Sequence, residues 1–109
     1  MRHQAETERE GWPVADDLDL LYRALSTVQN PMELGQLLED WLTPHEQDEL
    51  VLRLDIACRL DRGQTYEAIQ AETGASSTTV SRVRRCLYRG AGGYRLVLDR
   101  MAAVPPKTS

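Results

Sequence analysis

A short stretch between positions 77 and 85 carries the side chains with the most distinctive chemistry in the chain. Three small hydroxyl residues and two arginines recur there at helical spacing, which places them on one face of a helix: Ser77, Thr78, Ser81, Arg82 and Arg85. Hydroxyl side chains of this size allow close approach to a duplex, and an arginine fork can pair with O6 and N7 of guanine in the major groove. We therefore predict that these five residues make base or near-base contacts with DNA.

A second set of polar residues flanks this face and predicts contacts with the DNA backbone: Ser76, Arg84, Arg89 and Arg95. Contacts of this kind with phosphate supply affinity and register, and they carry no sequence information. No acidic residue interrupts the chain between positions 76 and 98. An anion can therefore approach this segment without meeting a carboxylate of the same segment.

A helix-turn-helix over about residues 65–88 is the predicted element that positions these side chains. Gly74 can adopt the positive φ that a tight reversal between two helices requires. Either Ser76 or Ser77 can cap the second helix, which we expect to run from about Ser76 to Tyr88. The motif needs apolar side chains that point inward, and the sequence supplies them at Ile69, Ala75, Val80, Val83 and Leu87.

The charge distribution also favours a polyanionic partner. The 109-residue chain has a formal net charge of −4, which taken alone argues against nucleic acid. Residues 1–75 carry −10, whereas residues 76–109 carry +6, and such asymmetry indicates a polyanion-binding surface. Two alternatives stay open: an ordinary helical hairpin whose arginines keep its surface soluble, and a protein-interaction module whose basic helix docks an acidic partner.

The remainder of the chain predicts further helices and no strands, because its apolar residues repeat with a period of 3.6. We expect the first helix to begin near Asp16 or Asp17. The segments 30–33 and 43–46 each combine a capping residue, a proline and a glutamate, and so predict two more helix starts. A last helix is expected from about Gly93. The predicted fold class is all-α.

The long helix that begins after Thr43 and ends near Gly63 predicts a shared core. Its apolar residues wrap most of its circumference: Leu50, Val51, Leu52, Leu54, Ile56, Ala57, Cys58 and Leu60. A helix that is apolar nearly all round must be covered on several sides. A chain this small has few helices with which to do so, and we therefore expect a homodimer.

Several sequence motifs together resemble those of the Trp repressor superfamily, and more closely its YerC/YecD branch. They include Leu-Thr-Pro-His-Glu at 42–46, Arg-Gly-Gln-Thr-Tyr at 62–66, Thr-Val-Ser-Arg at 79–82 and Gly-Gly-Tyr-Arg-Leu-Val-Leu at 92–98. The resemblance covers about residues 16–101. It implies six helices, an intertwined homodimer and a DNA-binding transcriptional regulator, a repressor, whose helix from Ser76 enters the major groove of its operator.

The same resemblance locates a ligand slot, which we expect to be vestigial. Four residues match positions near the tryptophan ligand of the repressor: Thr43, Arg53, Thr79 and Arg82. Val83, however, replaces a glycine, and Cys86 replaces a serine that serves the ligand's amino group. A branched side chain thus fills open space, and a weak thiol replaces a good hydrogen-bond partner. We predict no tryptophan co-repressor and no small-molecule effector, with an amino-acid-responsive repressor as the open alternative.

Other chemistries find no support in the sequence. No Ser-His-Asp, Cys-His or metal-ligand arrangement can be assembled, so we predict neither an enzyme nor a metal or cofactor site. No apolar run is long enough to span a membrane, and the polar N-terminus lacks a secretory signal, so we expect a cytoplasmic, nucleoid-associated protein. The expected organisation is a mobile N-terminal arm over 1–14, one helical domain over 15–102 and a disordered tail over 103–109.

Overall fold

The computed structural model describes residues 14–103, with side chains described from Asp17 onward, and this part of the chain contains helices and no strands. Its six helices are α1 (Val14–Ser26), α2 (Pro31–Trp41), α3 (Pro44–Asp61), α4 (Tyr66–Thr73), α5 (Ser77–Arg89) and α6 (Gly93–Ala103). The all-α fold class is confirmed. The expected N-terminal arm and C-terminal tail lie outside the described residues except at Val14 and Ala103, which are both helical.

The chain separates into two compact units, and the division falls between Trp41 and Leu42. Helices α1 and α2 belong to the first unit, and α3 to α6 belong to the second. All the residues that we assign to DNA contacts lie in the second unit. The single domain expected over residues 15–102 stays a prediction.

In the first unit, the start of α2 agrees with the sequence, and α1 begins slightly earlier than expected. The Asn30 side chain accepts a hydrogen bond from the Glu33 backbone at 2.9 Å, and Glu33 in turn accepts one from the Gln29 backbone at 2.9 Å. Helix α1 begins at Val14, two residues before the earlier of the two expected starts. Acidic residues are favoured both at a cap and in the first turn, so the sequence pattern did not distinguish these positions.

In the second unit, α3 has the predicted start and end. The Thr43 hydroxyl accepts a hydrogen bond from the Glu46 backbone at 3.1 Å, and the Glu46 carboxylate accepts one from the Thr43 backbone at 2.9 Å, which completes a capping box. The helix ends at Asp61, and Gly63 follows with φ +88°. Only a positive φ turns the chain here, which explains why glycine occupies this position.

The core of the second unit lies where α3, α4, α5 and α6 meet. Ile56 of α3, Ile69 of α4 and Val80 of α5 are fully buried at its centre. The other buried apolar residues are Ala57, Leu60, Ala75, Val83, Leu87 and Leu98. All five inward positions that the sequence predicted for the helix-turn-helix are among these residues, so this part of the motif is confirmed.

Two arginine-centred networks connect α3 to the elements that follow it. Arg59 donates to Asp55 at 3.1 Å within α3 and also pairs with Glu72 near the end of α4. Arg95 in α6 binds both carboxylate oxygens of Asp61, at 2.8 and 3.1 Å. The first network helps to hold α4 against α3, and the second ties the start of α6 to the end of α3.

Candidate nucleic-acid interface

The turn between α4 and α5 is built on Gly74. This residue has φ +77°, and its N–H donates to the Gln70 carbonyl at 2.9 Å, which closes α4. The Thr73 hydroxyl donates to the Ile69 carbonyl at 2.7 Å and accepts from the Ala75 backbone at 3.1 Å. The sequence predicted the glycine. It did not predict the two hydrogen bonds of the Thr73 hydroxyl, because a threonine next to a turn has no single expected role.

Helix α5 is capped by Ser76, which resolves the choice between the two neighbouring serines. The Ser76 hydroxyl accepts from the Thr79 backbone at 3.1 Å and lies 3.0 Å from the Thr79 hydroxyl. The first helical residue is therefore Ser77, and the helix continues to Arg89, one residue beyond the expected end. With Val80, Val83 and Leu87 buried on one side of α5, the opposite side is free to face a partner.

The structure brings the five predicted base-contacting residues together on that opposite side. All five are exposed, and they line one open concavity on the surface of α5: Ser77, Thr78, Ser81, Arg82 and Arg85. Within the described part of the chain, neither Arg82 nor Arg85 makes an ion pair. Two guanidinium groups thus stand beside three hydroxyls with their charge uncompensated, and we call this surface the α5 face.

The residues predicted to contact the DNA backbone have different surroundings. The Arg84 guanidinium lies over the Tyr88 ring, 5.3 Å from its centroid, and Arg89 is exposed in the last turn of α5. The Ser76 hydroxyl caps the helix, as described above. Arg95 differs because its guanidinium is already bound by Asp61 and Asp99. A phosphate contact by Arg95 would require it to exchange those partners.

The ion pair of Arg95 also perturbs its acidic partner. The hydrogen bonds from Arg95, reinforced by its charge, lower the pKa of Asp61 below its usual range. The same contacts raise the pKa of Arg95, which therefore carries its charge at any ordinary pH. At neutral pH both groups are charged, and the pair links α3 to α6 at the protein surface.

A second concavity lies on the other flank of α5, and it is lined by Arg53, Thr79, Arg82, Val83, Cys86 and Tyr94. The structure thus brings together three of the four residues assigned to the ligand slot, and both residues that depart from the repressor pattern. Thr43 is not part of this lining, and its hydroxyl caps α3 instead. Arg82 borders both this slot and the α5 face.

Tyr94 is the member of the slot that the sequence did not predict. Burial raises the pKa of the Tyr94 phenol, and the nearby Cys86 acts in the same direction, whereas Arg53 opposes the shift. The phenol is therefore a neutral hydrogen-bonding group at neutral pH. Its position in the Gly-Gly-Tyr motif at 92–94 was visible in the sequence, but nothing there indicated that α6 would bring it to α5.

Comparison with known proteins agrees with this arrangement. The family model for the Trp repressor protein matches residues 16–102. The uncharacterized protein YerC of Bacillus subtilis strain 168 is 37% identical over 93 residues, which cover 85% of this chain and 89% of YerC.

Solved structures show the same fold. A TrpR-like protein from Eubacterium eligens is 32% identical, with a TM-score of 0.75 over 84% of this chain and 94% of its own. A candidate Trp repressor from Staphylococcus aureus is 37% identical, with a TM-score of 0.74 over 94% of this chain and 98% of its own.

None of the six described helices has the length and apolar character needed to cross a lipid bilayer. The chain belongs to the Trp repressor family, whose members are DNA-binding regulators and not enzymes.

Proposed function

We propose that this protein is a sequence-specific transcriptional repressor that inserts α5 into the major groove as a homodimer. The observation that carries the proposal is the α5 face: five exposed residues suited to DNA lie on one side of a helix whose sequence contains no carboxylate. A regulator of this kind acts on chromosomal DNA, so we expect it in the cytoplasm, associated with the nucleoid.

The two sets of residues have different tasks in this proposal. The α5 face lies against base edges, where the Arg85 fork is suited to guanine and the hydroxyls allow close approach. Arg84, Arg89 and Ser76 lie toward the phosphates and fix the register of the helix on the duplex. Arg95 contributes a phosphate contact only if DNA displaces Asp61 or Asp99 from its guanidinium.

A homodimer gives the protein two such helices. In this family the paired recognition helices enter successive major grooves about one turn apart, roughly 34 Å, on a site with two-fold symmetry. Exposed apolar side chains on α3, among them Leu50, Val51 and Leu54, support the pairing because a single chain leaves them open to water.

Tryptophan is not the co-repressor in this proposal, because the slot on α5 departs from what that ligand needs. Val83 is buried where an open position is required, and Cys86 offers a weak hydrogen-bonding group. Titration calorimetry with L-tryptophan is expected to show no binding in the micromolar range. A micromolar or tighter dissociation constant would restore the amino-acid-responsive alternative.

The function is tested by selecting bound sites from random duplex DNA with the purified protein. We expect a near-palindromic sequence to emerge and to bind more tightly than a scrambled duplex in a gel shift. Arg100→Ala is the matched control for alanine variants of the α5-face arginines, which are expected to lose DNA affinity. Arg100 is also an exposed arginine, but it lies in the last turn of α6. If no sequence is enriched while a pull-down recovers an acidic protein, the basic helix serves as a protein-interaction surface instead.

A further inference from the structure

Arg84 and Tyr88 form a stacked pair on the exposed surface of α5. They are four residues apart, which places their side chains on the same side of the helix. The guanidinium carbon of Arg84 lies 5.3 Å from the centroid of the Tyr88 ring, within the range of a cation–π contact. Tyr88 remains 55% exposed, so the ring does not serve the core.

The stack holds Arg84 without consuming its hydrogen-bond donors. A guanidinium has five N–H groups that lie in its plane, and a ring that contacts its face leaves those groups available. Within residues 17–103, Arg84 makes no ion pair, in contrast to Arg95, which two carboxylates engage. Arg84 is therefore both restrained and available to an anion.

The position of the pair indicates which part of DNA it meets. Neither residue lines the concavity of the α5 face, where the predicted base contacts are made. The pair lies on the same helix outside that concavity, and in the proposed binding mode a flank of α5 faces the DNA backbone. A cation in this position meets phosphate and not a base edge.

We propose that Tyr88 is a positioning residue that holds the Arg84 guanidinium in place for a DNA phosphate. The inference rests on the proposed DNA-binding function and extends it to a residue that was not assigned to DNA. Restraint of a flexible side chain before binding reduces the entropy lost when the contact forms, so the benefit appears as affinity for every duplex.

The test is a double-mutant cycle measured by DNA affinity. Tyr88→Leu removes the ring and should weaken binding about two- to fivefold, because the Arg84 side chain must then be ordered when DNA binds. Tyr88→Phe keeps the ring and should restore nearly all of that loss. Arg84→Gln should weaken binding further and reduce the slope of log affinity against log salt by about one phosphate contact. In the Arg84→Gln background, Tyr88→Leu should cause no additional loss.

A second readout examines the stack in the free protein. Proton resonances of the Arg84 side chain should be shifted by the ring in the wild type and in Tyr88→Phe, and the shift should disappear in Tyr88→Leu. Circular dichroism and thermal unfolding show whether each variant keeps its fold. A variant with a normal fold, no ring shift and reduced affinity supports the positioning role.

Several outcomes would overturn the inference. Equal losses from Tyr88→Leu in both backgrounds would mean that Tyr88 acts independently of Arg84. An equally poor Tyr88→Phe variant would mean that the hydroxyl itself makes the contact. Both results leave the proposed function intact, since the wild type still binds its site. A wild-type protein that binds no selected duplex would overturn the proposed function and this inference together.

Discussion

Arg85 and Arg95 show how the neighbours of an arginine determine what it can do. Arg85 is exposed on the α5 face and makes no ion pair with any described residue, so all its donors are available to a ligand. Arg95 is held by Asp61 and Asp99, and its charge is already compensated. Both residues were assigned to DNA by residue type. In the structure, Arg85 can bind a phosphate or a base directly, whereas Arg95 must first give up a carboxylate partner.

Arg85 is expected to supply affinity for a specific sequence, whereas Arg89 is expected to supply affinity for any duplex. Arg85→Ala should weaken binding to the selected site by about 1–3 kcal/mol and relax the preference at one base pair in each half-site. Arg89→Ala should weaken binding to all duplexes alike and flatten the salt dependence. Gel shifts with matched and substituted duplexes at several salt concentrations distinguish these effects. Equal losses from both variants on every sequence would refute this division.

The Asp61–Arg95 pair predicts a specific dependence of stability on pH. Because Arg95 lowers the pKa of Asp61 in the folded protein, the pair stabilises the fold above the unfolded pKa of about 3.9. That contribution is lost as the pH falls through the folded pKa. In urea unfolding, Asp61→Asn should therefore be less stable than the wild type at pH 7, and this difference should begin to narrow below about pH 4 and close only below the lowered pKa of folded Asp61.

The matched control for this prediction is Asp40→Asn, which alters an exposed carboxyl that makes no ion pair in the described part of the chain. Asp40→Asn should not reproduce the loss of stability at pH 7 that is expected of Asp61→Asn. If the free energy of unfolding falls with pH in the same way for the wild type and for Asp61→Asn, the ion pair contributes nothing to folding.

At the scale of elements, the N-terminus of α5 combines a structural and a functional role. Ser76 supplies the cap that starts the helix, and it is also one of the residues predicted to lie near a phosphate. An aspartate caps a helix as well as a serine does, but it brings a negative charge to the same place. Substitution at this position can therefore separate the two roles.

Ser76→Asp should keep the stability of the wild type and lose DNA affinity, whereas Ser76→Ala should lose about 0.5–2 kcal/mol of stability. Thermal unfolding and gel shifts measure the two quantities. Thr43→Asp is the control, since Thr43 caps α3 in the same way and lies outside the predicted interface. If both aspartate variants weaken DNA binding equally, Ser76 has no special proximity to phosphate.

The elements also show which features a sequence can predict. The starts of α2 and α3, the turn at Gly74 and the buried positions of the helix-turn-helix follow from local signals, and all were predicted. Two features were not: the bond between Arg95 and Asp61, which lie 34 residues apart, and the position of Tyr94 in the slot. Both depend on how α6 packs, and no local pattern encodes that packing.

At the scale of the whole molecule, the single chain leaves many large apolar side chains in contact with water. On α3 these are Leu50, Val51 and Leu54, and on α6 they are Leu96, Val97 and Met101. Side chains of this kind scattered singly are ordinary on a protein surface, but clusters on successive turns of a helix indicate an interface. A second copy of the chain can cover them, as the wrapped pattern of apolar residues on α3 also predicts.

Sedimentation at micromolar concentration is therefore expected to give a dimer. Val51 is 66% exposed in the single chain, so Val51→Asp should leave the fold of each protomer intact while it places a charge in the interface. The variant should sediment as a monomer or as a much weaker dimer. Ala71→Asp adds the same charge at an exposed position on α4 and should stay dimeric.

The oligomeric state also decides how the protein occupies its site. A dimer presents two copies of α5, so the selected sequence should contain two half-sites, and Val51→Asp should bind a single half-site with nearly the affinity that the wild type has for it. The variant should lose most of the additional affinity for the full site, because the second helix no longer binds as part of one molecule. A wild type that sediments as a monomer and selects an unrepeated sequence would show that each chain acts alone.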